Sequence, residues 1–260
     1  MIPLYDDVPA RKFPVVTVTL IVINVIIFLF ELAIQAAFGD DALNRLFYEA
    51  GVVPAFFSGS ARPEAFVLPD GAAVPPFTPL SPVITPLTSM FLHGGVAHVM
   101  GNMLFLWIFG DNVEDRIGRF RFLLFYLLAG YIAALVHVLS RTDSLLPTVG
   151  ASGAIAGVMG AYLVGFPKAK LAVIIPPFFF LRLWVPAFAF LILWFVLQFI
   201  GGWFDWASIG DTGGIAFGAH VGGFVVGLLA GWLVRSRPGW TLPNYTKDQR
   251  RAVRGSEYER

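Results

Sequence analysis

The chain has 260 residues, of which 57% are hydrophobic and only 13% are charged, and its mean hydropathy is +0.74. Soluble domains average about 25% charged residues, so the composition excludes an ordinary soluble domain and predicts a protein that crosses the membrane several times. The absence of cysteine excludes disulfide and thiol chemistry, and the net charge of +1 gives no support for a nucleic-acid partner.

Six apolar runs follow one another along the chain, and a membrane helix needs about 20 such residues. In chain order they cover 14–37, 96–110, 122–139, 149–166, 183–204 and 213–234. Between the first two runs, from about 40 to 90, repeated prolines forbid a long helix and predict a large irregular loop. The sequence therefore predicts an all-α membrane protein with six transmembrane helices and a long first loop.

The orientation of the helices follows from the basic residues, because Lys and Arg accumulate in cytoplasmic segments. With both termini in the cytoplasm, 15 of the 18 Lys and Arg lie on that side. This bias predicts a cytoplasmic tail over 1–13, a membrane domain over 14–235, a second cytoplasmic tail over 236–260, and a first loop outside the cytoplasm. The basic residues of the second tail alternate with acidic ones, which favours contact with anionic lipid over nucleic acid.

One hydroxyl lies in the stretch GASGAIAGVMGAY, which begins the fourth apolar run at Gly150. Ser152 precedes Lys168 by 16 residues, and at a rise of 1.5 Å per residue this places it only ~24 Å from the inner boundary of a ~30 Å core. The fourth helix is therefore predicted to begin late, at Ser152, below the outer headgroups. The preceding segment 145–149 must then be enclosed by protein or line a water-filled cavity.

The same count brings further polar side chains to the depth of Ser152. His220 lies 15 residues before Arg235, and His98 lies 16 before Glu114. Asn102 follows His98 by one helical turn on the same face. Polar side chains inside spans usually face the bundle interior and mark function, so the convergence predicts a functional site.

Each of these residues also has a purely structural interpretation, which would be preferred for any one of them alone. Ser152 belongs to a seam of small residues, His220 could be a satisfied buried histidine, and Asn102 could join two helices by a hydrogen bond. Small residues recur every fourth position in both the fourth and the sixth run: Gly153, Gly157 and Ala161, and Gly223, Gly227 and Gly231. Such seams let two helices approach closely enough for a serine to meet an imidazole.

A serine beside a histidine can perform nucleophilic acyl transfer, in which the imidazole takes the hydroxyl proton. No carboxylate is predicted at this depth, so we expect a Ser152–His220 dyad without an acid. The backbone N–H of Ser152, at a helix N-terminus, together with Asn102 and His98, would stabilise the oxyanion. We expect no metal and no other cofactor, because the HExxH pattern is absent and the histidines have no third ligand nearby.

Four motifs carry a resemblance to a known family. They are HVMGN (98–102), EDRIGRF (114–120), GASG (150–153) and GAHVGGFVVG (218–227). With these motifs the chain resembles the rhomboid family of intramembrane serine proteases over about 15–235. The resemblance implies a rhomboid-like six-helix bundle, with Ser152 as nucleophile, His220 as base, and His98, Asn102 and the Ser152 amide around the oxyanion.

The resemblance also implies that the substrates are transmembrane proteins, cut near their outer ends within the lipid bilayer. A prokaryotic plasma membrane is the expected compartment. Two alternatives belong to other classes: a catalytically silent rhomboid-like protein that binds membrane clients, and a small transporter or channel. The first typically lacks the serine or the histidine, and the second would need charged residues inside the spans, which are absent apart from the boundaries.

Two positions depart from the common pattern of the family. Ile84 and Thr85 stand where many rhomboids have a Trp-Arg pair, and Ala156 stands where many have an aromatic residue one turn after the nucleophile. Without that ring, we expect His220 to be loosely oriented and positioned by its own helix, with help from Phe217 or Phe224. His93 and His137 are expected to be structural.

Overall fold

A computed structural model describes residues 1–61, 66–67, 73–74, 80–175, 178–207 and 216–235, with the backbone alone at 66–67, 73–74, 178–180 and 202–207. The predicted C-terminal tail and three parts of the proline-rich stretch, 62–65, 68–72 and 75–79, lie outside these residues. The elements are, in chain order, β1 (Ile2–Asp6), α1 (Val15–Phe38), α2 (Asp40–Ala50), α3 (Pro54–Ser58), β2 (Phe66–Val67), β3 (Ala73–Val74), α4 (Thr85–Thr88), a 3-10 turn (Ser89–Phe91), α5 (Val96–Ile117), α6 (Arg119–Ser140), α7 (Ser152–Gly165), β4 (Lys170–Ile175), β5 (Phe178–Pro186), α8 (Ala187–Ala207) and α9 (Phe217–Val234).

Each of the six predicted apolar runs overlaps one helix of at least 14 residues, and the described chain is mostly helical. Helices α1, α6 and α9 are each long and apolar enough to cross a membrane, and α4 with the following turn and α5 forms a fourth candidate, bent by 96°. Helices α7 and α8 contribute shorter apolar segments. The protein is therefore an integral membrane protein, and the count of six spans stays a prediction.

The first loop contains more regular structure than the sequence predicts. Its proline-rich part has no long helix among the described residues, as expected, and holds short helices, turns and the two-residue strands β2 and β3, but 40–50 forms the regular helix α2. Asp40 and Asp41 in its first turn interact favourably with the positive end of the helix dipole. Arg45 forms an ion pair with Glu49, one turn later, at 2.8 Å. The expectation of an irregular chain is wrong here because the prolines begin only at Pro54.

A three-stranded antiparallel sheet in the order β1-β4-β5 corrects the all-α prediction. Ile2 pairs with Ile174, and Lys170 pairs with Pro186. The predicted fifth run is wrong at its start, because 183–186 belong to β5 and α8 begins at Ala187. Branched and aromatic residues favour strands here, and a short apolar run has no periodicity that separates strand from helix.

Segments that were predicted to share the cytoplasmic side contact one another. Arg11 pairs with Asp115 at 2.8 Å, and Asp6 accepts hydrogen bonds from the Asn112 amide and the Tyr162 hydroxyl. Burial raises the pKa of Asp6 well above its usual value, the nearby Asp111 raises it further, and the hydrogen bond from Tyr162 opposes them. The grouping agrees with the predicted sidedness, and the orientation itself stays a prediction.

Glu114, in the EDRIGRF motif, fixes the start of α1 against α5. Helix α1 has no capping side chain of its own, and the Glu114 carboxylate accepts hydrogen bonds from Val16 N–H at 3.0 Å, Thr17 N–H at 2.7 Å and Thr17 Oγ1 at 2.8 Å. The two backbone N–H groups are among the amides that a helix N-terminus leaves without partners, and a negative charge is favourable there. The carboxylate therefore has a structural role.

Helices α7 and α9 pack against each other over much of their length, and glycines make the contact. A Cβ atom on Gly223 would overlap the carbonyl oxygen of Gly153, and one on Gly227 would overlap the carbonyl oxygen of Gly157. The two backbones therefore touch directly, which confirms the role predicted for the small-residue seams. This contact brings the first turn of α9 beside the start of α7.

Candidate active site

Helix α7 begins at Ser152, as the depth count predicted. The preceding residues Leu146 to Val149 line a cavity, and Thr148 is held by the first loop through two backbone hydrogen bonds with Val52 of 2.7 and 3.0 Å. The backbone groups of Thr148 are thus satisfied by protein, and 146–149 border the cavity. These four residues agree with the prediction of a segment that is enclosed by protein or lines a cavity, and its depth in the membrane stays a prediction.

Ser152 and His220 form a direct side-chain contact. The Oγ atom of Ser152 lies 2.7 Å from Nε2 of His220, which is within the reach that a nucleophile and its base require. His220 is only 9% exposed, in the first turn of α9. The glycine seam sets this distance, because any wider separation of α7 and α9 would break the contact.

His98 and Asn102 on α5 face the backbone just before Ser152. A Cβ atom on Gly150 would lie 2.7 Å from His98 Nε2 and 3.7 Å from Asn102 Nδ2, and Gly150 has a φ of +126°, which favours glycine. Asn102 is buried, and its Nδ2 has no hydrogen-bond partner among the described residues. A buried donor without a partner is rare and calls for an explanation, and here it is available to a ligand beside Ser152.

All four predicted site residues line one cavity of about 770 Å³. This volume is in the range of ordinary ligand pockets. Among the described lining residues there is no Asp or Glu, and the expectation of a dyad without an acid stays a prediction. The structure therefore brings Ser152, His220, His98 and Asn102 together as predicted, and their catalytic roles stay a proposal.

Two further contacts to His220 come from α8 and were missed in the sequence. The Trp194 ring centroid is 5.7 Å from that of His220, and Gln198 Oε1 is 2.8 Å from His220 Nδ1. The expectation that His220 is loosely held by its own helix is therefore wrong. A signal was present, because Gln198 is the one amide in the apolar stretch 187–201 and lies one turn after Trp194.

Phe224, one of the two phenylalanines expected to support His220, packs against two aromatic side chains of α8. Its ring stacks on Phe195 at 4.8 Å and lies 6.0 Å from Trp194. Phe224 is 1% exposed, so it packs behind the Trp194 ring that meets the imidazole. The ring support for His220 thus comes from α8, which removes the need for an aromatic residue at Ala156.

Ala156→Tyr should destabilise the protein, because the side chain of Ala156 faces the seam. Ala156 is fully buried, and a Cβ on Gly223 would lie 3.4 Å from its Cβ. Overpacking of such a site costs about 1–3 kcal/mol, and thermal unfolding in detergent should show a lower Tm. Leu163→Tyr, at a half-buried position of the same helix, is the matched control. A stable Ala156→Tyr protein with a more reactive Ser152 would contradict this reading.

The remaining histidines occupy different surroundings. The backbone N–H of His93 donates to both Glu31 oxygens, at 3.1 and 3.3 Å, and its ring lies 5.1 Å from that of His98. It therefore ties the segment before α5 to α1, in line with the structural role expected. His137 lines the cavity, closer to the site than expected.

Relatives among characterised proteins carry rhomboid names. The chain is 37% identical over 91 residues to the presenilin-associated rhomboid-like protein A, mitochondrial, of Danio rerio, which covers 34% of this chain and 24% of the relative. It is 32% identical over 155 residues to Rhomboid protein 1, mitochondrial, of Saccharomyces cerevisiae, a match that covers 58% of this chain and 42% of the relative. It is 30% identical over 161 residues to RHOMBOID-like protein 5 of Arabidopsis thaliana, a match that covers 61% of this chain and 47% of the relative. The chain thus spans less than half the length of these relatives. The mitochondrial names weaken the expectation of a prokaryotic plasma membrane.

The family model described as the Rhomboid domain matches residues 81–237. The matched part contains α5 to α9 and hence all four predicted site residues that line the cavity: His98, Asn102, Ser152 and His220. It covers more than half of the chain and includes the motifs on which the resemblance rested. The chain belongs to the rhomboid family.

Proposed function

We propose that the chain is an intramembrane serine endopeptidase that hydrolyses peptide bonds of membrane-inserted substrates. Ser152 is the nucleophile and His220 is the general base. The observation that carries the proposal is the 2.7 Å contact between Ser152 Oγ and His220 Nε2, at a cavity that also holds the unpartnered Asn102 amide. A serine hydroxyl is a weak nucleophile until a neighbouring base can take its proton.

In the first half of the reaction, Ser152 Oγ attacks the carbonyl carbon of the scissile peptide bond while its proton passes to His220 Nε2. The oxygen of the tetrahedral intermediate becomes negative. The backbone N–H of Ser152, at the N-terminus of α7, donates to it together with Asn102 Nδ2 and His98. The imidazolium then gives its proton to the leaving amine, the C–N bond breaks, and the carboxyl-side fragment departs with its new amino terminus, while the amino-side fragment stays bound to Ser152 Oγ as an ester.

In the second half, a water molecule in the cavity attacks the ester carbonyl. His220 Nε2 takes the water proton and returns it to Ser152 Oγ as the ester bond breaks, so the resting enzyme is restored. The cavity supplies the water that a bilayer lacks, and its polar lining includes Ser144 and Thr148 besides the reacting groups. Helix α7 is short, with 14 residues or about 21 Å, which keeps Ser152 beside this water.

The substrates that fit such a site are transmembrane proteins, and the lipid bilayer is the second partner. A peptide bond within a membrane helix is shielded by its own turns, so the segment to be cut must leave the helical conformation before it enters the cavity. We place the cavity at the extracytoplasmic end and both termini in the cytoplasm, because of the distribution of Lys and Arg. A prokaryotic plasma membrane stays the expected compartment, although the mitochondrial relatives weaken it.

The test is labelling of the purified protein in detergent with a fluorophosphonate, which forms a bond to an activated serine oxygen and releases fluoride. We expect one adduct, on the peptide that contains Ser152, and none in Ser152→Ala. Ser144→Ala is the matched control, because Ser144 lines the same cavity and its Oγ accepts a hydrogen bond from the Leu146 N–H at 3.3 Å. A folded protein without an adduct, which bound membrane clients and released them uncut, would support the catalytically silent alternative instead.

Chelation of metals should leave hydrolysis unchanged. No group of three His, Cys, Asp or Glu side chains in the described part of the chain could hold a metal ion, and the proposed steps need only proton transfer between Ser152, His220 and substrate. The measurement is the cleavage rate of a transmembrane substrate before and after EDTA treatment. A rate that fell and then recovered on addition of zinc would contradict the proposal of a metal-independent dyad.

A further inference from the structure

Gln198 introduces an amide into an otherwise apolar part of α8. Between Ala187 and Gly201 every other side chain is apolar except for the Trp194 indole. A polar side chain within a membrane helix is costly and usually faces the bundle interior, with a partner there. Gln198 lines the cavity, and its Oε1 lies 2.8 Å from His220 Nδ1.

The two hydrogen bonds of His220 are coupled through its tautomer. A neutral imidazole has one N–H donor and one acceptor nitrogen. Gln198 Oε1 lies 2.8 Å from Nδ1, and a ring proton at Nδ1 satisfies both contacts: Nδ1–H donates to Oε1, and Nε2 presents its lone pair to the Ser152 hydroxyl at 2.7 Å. The opposite orientation of the Gln198 amide would place an N–H donor at Nδ1, move the ring proton to Nε2, and remove the base from Ser152.

Trp194 contacts the same imidazole ring and restricts its orientation. It lies one turn before Gln198 on the same face of α8, with its centroid 5.7 Å from that of His220 and an angle of 38° between the ring planes. The ring thus contacts one side chain of α8 through its face and another through Nδ1. Helix α8 therefore fixes both the position and the tautomer of the imidazole.

We propose that Gln198 is a positioning residue for the peptide hydrolysis: it accepts a hydrogen bond from His220 Nδ1–H and holds Nε2 as the base for Ser152. The inference rests on the proposed function and adds a third side chain to the dyad predicted from the sequence. An amide oxygen performs this role as a neutral acceptor, and the described lining of the cavity has no Asp or Glu that could take its place.

The kinetic test compares three variants in detergent or vesicles, with a transmembrane substrate. Gln198→Met keeps the length of the side chain but removes the acceptor, and it should lower kcat about 10- to 100-fold with little change in KM, since one hydrogen bond to a developing charge is lost. Gln198→Glu keeps an oxygen acceptor at the same position and should retain most of the parent kcat. Leu197→Met is the matched control, because Leu197 is the preceding residue, is 56% exposed and should leave kcat unchanged.

A spectroscopic signature separates positioning from a merely structural role. The chain has only four histidines, so protein labelled with ¹⁵N-histidine gives few imidazole signals, and His220→Ala identifies those of His220. In the parent we expect a protonated Nδ1 and an unprotonated Nε2. In Gln198→Met we expect a mixture of both tautomers, and in Leu197→Met the parent spectrum.

The outcomes distinguish this inference from the proposed function. An active parent whose His220 carries its proton on Nε2 would overturn the role of Gln198, and so would a folded Gln198→Met protein with the kcat of the parent. A loss in Gln198→Met that appeared only in KM would overturn it as well. A parent that neither labels with fluorophosphonate nor cleaves substrate would overturn the proposed function, while the tautomer of His220 would still report on Gln198. If Gln198→Met does not fold, the parent spectrum and the Gln198→Glu kinetics decide.

Discussion

Ser152→Ala should lower hydrolysis of a transmembrane substrate by about 10⁴-fold or more, because removal of the nucleophile from a serine hydrolase has effects of this size. The protein should stay folded. Ser152 begins α7, where alanine is compatible with the helix, and the seam with α9 is made by the glycine backbones, which the change does not touch. The measurements are the cleavage rate and the Tm in detergent.

His220→Ala should give a similar loss, since Ser152 would then have no base. This variant also removes the partner of Gln198 and a contact of Trp194, so its Tm should fall more than that of Ser152→Ala. The difference in Tm, at equal loss of activity, separates the catalytic role of the pair from the packing role of the imidazole. A purified Ser152→Ala protein that cut the same bond at the parent rate would disprove the mechanism.

Asn102→Ala should lower kcat by about 10²- to 10³-fold, which is the usual cost of removing one oxyanion donor. Its Nδ2 has no partner in the described part of the resting structure, so the group gains its hydrogen bond only when the intermediate forms. KM should change little for the same reason. Removal of an unsatisfied buried donor should leave stability unchanged or slightly higher.

The matched control for this prediction is Asn24→Ala. Asn24 is also a buried asparagine on a membrane helix, but its Nδ2 donates to Leu20 of its own helix at 2.7 Å and lies outside the cavity. Its loss should leave kcat unchanged. Full kcat in a folded Asn102→Ala protein would exclude Asn102 from the oxyanion site.

The sequence alone predicted one common depth for the site residues, and the structure brings these residues to one cavity. The rise of a helix per residue is a constant of its backbone, and charged residues mark where a span must end, so the levels of Ser152, His220, His98 and Asn102 could be counted. The late start of α7 followed from the same arithmetic and is confirmed. The glycine seam was also readable, because small residues at every fourth position occupy one helix face.

Only the tertiary structure decided what lies beside each residue at that depth. The contacts of Trp194 and Gln198 with His220 depend on how α8 packs against α9. The spacing of residues along α8 does not predict which residue of another helix each side chain will contact. Likewise, only the positions of the neighbouring acceptors show that Asn102 Nδ2 has no hydrogen-bond partner among the described residues. The β1-β4-β5 sheet joins segments more than 160 residues apart, and a short apolar run forms a strand or a helix according to the partner that the rest of the chain supplies.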